Sequence, residues 1–312
     1  MNISEENSEL ARRHNELQMT ARKHYNTDFE YYKNRDNTKI YAVDMQKVLL
    51  LPRMPDIKES FFLSKMVVFN ETFASLKPEE PHFSIIWYEA IRGRSASDVT
   101  SAYMKIINNS RDTPHFIFWA DNCTAQNKNW TLFSTFALIV NEPTGPESIT
   151  IKYLVPGHTF LAADGLHGRI EQTIRKKKNL YDLRDLTEAI EESAKRMQVI
   201  ELNIQDFSAF ENLKKARSKT RAKKVANEDV IIPHLQNLCQ VRFEKGLCGM
   251  IFKENFEEDG IVSLFLKDIP KSYIPKKLQH QRGMKKSKLD KIKLQLVSRM
   301  PGTRRKFWEE LT

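Results

Sequence analysis

Four apolar runs without helical spacing divide the first part of the chain: Lys39–Leu51 (KIYAVDMQKVLLL), Phe61–Phe69 (FFLSKMVVF), His82–Ile91 (HFSIIWYEAI) and Phe116–Trp119 (FIFW). Aromatic and β-branched residues crowded in this way predict buried strands. The first run carries an acid, Asp44, near its middle, and Pro52 and Pro55 close it. The first three follow one another with short connections, which predicts an antiparallel meander. Behind Ser95 or Ser97, either suited to an N-cap, Val99, Ala102, Tyr103, Ile106 and Ile107 recur on one helical face. Trp130–Val140 predicts a buried helix, and Ile149–Val155 alternates as a strand. Ala162–Lys177 puts Leu166, Ile170 and Ile174 on one stripe, and Tyr181–Arg196 predicts a further helix.

The flanks differ. Residues 1–37 are polar with thinly spaced Leu10, Leu17 and Met19, the pattern of a helix leaning on a larger body. That helix has no clear structural start, which points to a preceding domain. Residues 38–205 form the core. Residues 206–227 are a basic linker containing Lys214, Lys215, Arg217, Lys219, Arg221, Lys223 and Lys224. Residues 228–312 hold short strands (VRFEK, GMIFK, IVSLFL) separated by glycines, then a basic helix and a short helix ending in Phe307, Trp308 and Leu311. This segment reads as a small β-rich α+β appendage.

Strand with acid, strand, strand, helix, strand with acid, helix, strand, helix with acid is the element order of a ribonuclease-H-like α/β fold. Its mixed sheet is flanked by helices, with the first strand central and the fourth beside it. Asp44 and Asp121 would meet there although far apart in sequence, and the helix after the fifth strand would present Asp164, Glu171 or both. Ligands of open α/β sheets bind at strand carboxyl ends, where Asp121 stands. Convergent carboxylates on separate elements suit two divalent cations, Mg2+ or Mn2+, that activate and stabilise oxygens in phosphoryl transfer. Without metal, repulsion should raise at least one carboxyl pKa. Asp164, first on the helix, is the preferred third ligand; Glu171, two turns on, is its rival. His158 and His167 are candidates for orienting a phosphate or relaying a proton, His158 the better of the two. Asn127 and Lys128, like Gln126, are candidate phosphate contacts, though a capped helix start explains them as well.

The formal net charge of +10 favours an anionic partner, nucleic acid first. The cluster Lys214, Lys215, Arg217, Arg221, Lys223 and Lys224 suits phosphate contacts, a nuclear-targeting signal or a solvated linker. Three cysteines cannot make a disulfide framework and show no CxxC spacing, which fits a reducing compartment. No apolar run is long enough to span a membrane.

The strings AVDMQKVLLLPRMP, FNETF, WYEAIRGRSASDV, WADNCTAQNKNWTLF, GHTFLAADGLHGRIEQ and MPGTRRKFWEEL together resemble a family of transposon-derived proteins with a ribonuclease-H-like, DDE-type transposase core. The resemblance runs from about Tyr41 to Leu311. It implies metal-dependent cutting and joining of DNA in the nucleus, with Asp44 and Asp121 as the first two acids; a homo-oligomer is compatible with it. For the third acid the family pattern carries both the helix Asp and the later Glu. The alternative expectation is a nucleic-acid-binding or chromatin-associated protein that keeps the fold without catalysis. A metal-dependent exonuclease fits less well, because Met45 and Gln46 follow Asp44 where an acidic pair would be needed.

Overall fold

A computed structural model describes residues 3–123, 125–157, 160–210, 233–264 and 275–311. The elements are α1 (Ile3–Tyr32), β1 (Thr38–Met45), β2 (Leu49–Leu51), α2 (Lys58–Phe62), β3 (Met66–Ser75), β4 (His82–Tyr88), α3 (Ala96–Asn109), β5 (His115–Ala120), α4 (Trp130–Val140), β6 (Ser148–Tyr153), α5 (Ala162–Lys177), α6 (Leu183–Glu191), β7 (Met197–Glu201), β8 (Gln240–Glu244), β9 (Gly249–Lys253), β10 (Ile261–Leu264), α7 (Lys286–Gln295) and α8 (Gly302–Glu310). The strands make one mixed sheet in the order β10-β9-β8-β6-β5-β1-β3-β4-β7, with β2 paired to β3.

The expected α/β architecture is present. β1, β3 and β4 form an antiparallel meander, and β5 and β6 add parallel to β1 on its other side. Period-two alternation divides the core between the two faces. Ile40, Ala42, Ile117 and Trp119 pack beneath α1, α5 and α6. Tyr41, Val43, Phe116 and Phe118 pack beneath α3 and α4. Helix starts follow local chemistry: Ser95 and Asp98 close a capping box on α3, and Asn129 accepts from Leu132 N–H at 3.0 Å to start α4. The β-rich C-terminal strands form as expected, and they continue the core sheet, because β8 pairs antiparallel with β6.

Two boundaries differ from the sequence reading. Phe61 and Phe62 do not begin the second strand. They end the short helix α2, 83% and 75% exposed, and the strand runs instead from Met66 to Ser75. Its second half holds buried Asn70, Glu71 and Thr72, polar residues that hide it from an apolar pattern. The helix expected over Tyr181–Arg196 stops at Glu191, and Arg196, at φ 65°, turns the chain into edge strand β7 beside β4. Asp44 also lies one residue from the end of β1, because the polar Gln46 and Lys47 interrupt the run that continues in β2.

Candidate functional site

β1 and β5 run parallel with Val43 opposite Ala120. Asp44 and Asp121 are the next residues along, Asp44 still in β1 and Asp121 just past the end of β5. Alternation turns Asp44 to the face that carries Ile40 and Ala42, which α5 covers. Asp164 sits in the first turn of α5, where one carboxylate oxygen accepts from Leu161 N–H at 2.8 Å and satisfies a free helix donor. His167 follows one turn later on the buried side. One ligand atom each from Asp44, Asp164 and His167 lie within 4.8 Å of one another. The His167 Nδ1 to Asp44 Oδ2 separation is 3.6 Å.

Asp121 lies outside that group of three and is held from its own loop. Its Oδ1 accepts from Asn127 Nδ2 at 2.7 Å and from Cys123 N–H at 3.2 Å. Asn127 is fixed in turn: Tyr103 OH donates to its Oδ1 at 2.9 Å, and Tyr153 OH donates to its carbonyl at 2.8 Å. Two buried tyrosines thus clamp an amide that aims a carboxylate. Replacing Tyr103 by Phe keeps the ring packed against Phe73, Phe118 and Phe136 and removes one bond. This variant is expected to lose roughly 1 kcal/mol of stability and roughly tenfold in divalent-cation affinity, read by titration calorimetry. An unchanged affinity would show that Asp121 needs no such clamp.

Asn127 and Lys128 therefore do not serve as the phosphate contacts expected of them. Asn127 is fully enclosed. Lys128 is buried with its ammonium bonded to Asn122 Oδ1 and to the Gln236 carbonyl, and it lies 4.6 Å from the centre of the Tyr153 ring. Burial among these neutral partners lowers its pKa to about 8. It ties the Asp121 loop to the segment before β8.

Electrostatics at the centre are those of crowded acids. Burial, then the fields of Asp121 and Asp164, raise the Asp44 carboxyl to about 7. On the opposite face, across from Met45, stands Glu71, which the sequence reading passed over. It is fully buried, and among the described residues neither carboxyl oxygen has a hydrogen-bond partner. Burial first, then Asp44 and Asp121, push it well above the carboxylate range. The available signal was an acid between Phe69 and Phe73 inside FNETF. Burial lowers His167 to about 4 against the opposing pull of Asp164, so its ring is neutral near pH 7.

Of the rivals on α5, Asp164 reaches the cluster. Glu171 points away, 46% exposed, and pairs with Arg175 at 3.5 Å. Of the two, only Asp164 lies beside Asp44. Among the described residues, His167 is the histidine beside Asp44 and Asp164. His158 lies outside the described residues, as do Lys214, Lys215, Arg217, Arg221, Lys223 and Lys224. Phe160, just ahead of α5, is 77% exposed, with Arg22 donating to its carbonyl at 2.8 Å.

A family model described as a domain of unknown function (DUF7869) matches residues 96–229. That stretch contains Asp121 and Asp164 but not β1 or Asp44. No curated protein and no solved structure matches the chain. No described helix is long and apolar enough to cross a membrane.

Proposed function

We propose that this is a transposase-derived DNA-processing protein, which cleaves and joins strands by divalent-cation-dependent phosphoryl transfer at Asp44, Asp121 and Asp164, and which acts in the nucleus. The observation that carries the reading is the meeting of Asp44 and Asp164, from β1 and α5, with Asp121 just past the end of the strand that pairs with β1. Acids crowded until one is raised to about 7 are costly unless positive charge is brought to them. The donor set fits Mg2+ or Mn2+, since carboxylate oxygens dominate it.

Asp44 and Asp164 would hold one cation between them, and Asp121, aimed by Asn127, would share in holding a second. Bound cations supply charge neutralisation and polarise the phosphate and water oxygens. The protein's own contribution is position. β1 carries Asp44, the loop leaving β5 carries Asp121, and the start of α5 brings Asp164 to Asp44. Phe160 offers an exposed aromatic face to a base beside the centre, because Leu161, the residue after it, already touches the Asp164 carboxylate. The net charge of +10 favours the nucleic acid over other anions of its size.

The test is incubation of the purified protein with end-labelled duplex DNA, with Mg2+ or Mn2+ and with a chelator. Nicked or joined strands that vanish with the chelator are expected. Salt-dependent DNA binding with no cutting under either ion would replace this reading with that of a non-catalytic scaffold.

A further inference from the structure

We infer that His167 is a ligand of the cation held by Asp44 and Asp164, and that this mixed nitrogen and oxygen set selects Mn2+ over Mg2+. The inference rests on the divalent-cation reading above and adds the identity of the third ligand and of the ion.

The histidine is not placed for an ordinary role. Its Nδ1 lies 3.6 Å from Asp44 Oδ2, beyond hydrogen-bond length. The residue is nine-tenths buried, and among the described residues its Nε2 has no hydrogen-bond partner. Asp164 and His167 are three apart on α5 and so share a face. Both meet Asp44 coming from the sheet, with all three ligand atoms within 4.8 Å of one another. First-row cations bind nitrogen and carboxylate oxygen at about 2.0–2.2 Å, so two ligands of one ion lie up to about 4.4 Å apart. A small rotation of a carboxylate brings the group into that range.

The ring nitrogen then decides the ion. Mg2+ is hard, prefers oxygen and keeps its waters. Imidazole contributes more to a transition metal, and among these Mn2+ is the one suited to carboxylates and water. Two carboxylates with one imidazole therefore favour Mn2+, whereas three carboxylates alone would not discriminate in this way.

The experiment joins pulsed electron paramagnetic resonance of Mn2+ on the full chain with calorimetric titration of Mn2+ and Mg2+, on wild type and on His167→Gln. Wild type should show coupling to a directly bound nitrogen. It should bind Mn2+ at least about tenfold more tightly than Mg2+, and His167→Gln should lower Mn2+ affinity about tenfold while moving Mg2+ by less than about threefold. Bound Mn2+ without nitrogen coupling would overturn the inference and leave the carboxylate site standing, as would equal losses for both ions. Failure of both ions to bind wild type at millimolar concentration would remove the underlying reading, and this inference with it. The nitrogen coupling is measured on wild type, so the test survives even if the variant does not fold.

Discussion

In the absence of metal, Asp44→Asn is expected to be more stable than wild type at pH 8 and about equal to it at pH 4. Burial and the neighbouring Asp121 and Asp164 raise the Asp44 carboxyl from 3.8 to about 7. Between these values the folded protein holds a proton that the unfolded chain has released. Stability therefore falls as pH rises through that window and is fully present only below it. A difference of about three pH units corresponds to about 4 kcal/mol. Asparagine keeps the shape and an acceptor oxygen but carries no charge to bury, so it escapes that loss. Thermal melts of both proteins in chelator at pH 4, 6 and 8 give the comparison. Parallel curves would mean that Asp44 is not strained by its surroundings. Adding divalent cation should reverse the order at pH 8, because only wild type gains from it.

Asp121→Asn is expected to leave the fold intact and reduce cation-dependent strand cleavage about a thousandfold or more. The amide oxygen of the substituted side chain can still accept from Asn127 and Cys123, the two donors that Asp121 uses, so the loop keeps its shape. What disappears is one negative charge where cations would be shared. Charge stabilisation of the transition state by bound metal is worth several kcal/mol, and about 4 kcal/mol is a factor of roughly a thousand in rate. Cleavage of labelled duplex at saturating Mn2+ measures it, with circular dichroism as the check on folding. A variant retaining a tenth of the wild-type rate would remove Asp121 from the chemistry and with it the three-carboxylate proposal.

Much of the fold was legible because the core strands are rich in aromatic and β-branched residues, and because the order of elements restricts which strands can be neighbours. That reasoning brought Asp44 beside Asp121 without a contact being visible in the sequence. It failed where a side chain's surroundings outweigh its type. Phe61 and Phe62 are apolar yet exposed, while Glu71 and Lys128 are charged residue types yet buried. Lys128 looked like a phosphate contact because it follows Gln126 and Asn127, but the segment before β8, more than a hundred residues later, supplies the Gln236 carbonyl that encloses it. The place of His167 beside Asp44 was hidden for a related reason. It comes from the side of α5 that meets β1, and one-dimensional spacing shows the stripe of Leu166 and Ile170 more readily than a polar residue tucked beside it. β7 was missed because an edge strand of five residues with mixed burial leaves little periodic signal.

β8 lies along β6 from Ser148 opposite Glu244 to Lys152 opposite Gln240. A shortened copy of the chain ending before residue 240 would leave β6 with bare amides and carbonyls beside Ile149 and Ile151, the kind of rim that recruits strands from other molecules. Truncation at that point would exchange an internal seam for an external one, and the shortened polypeptide should accumulate as aggregates or swapped assemblies rather than as a smaller, still folded core.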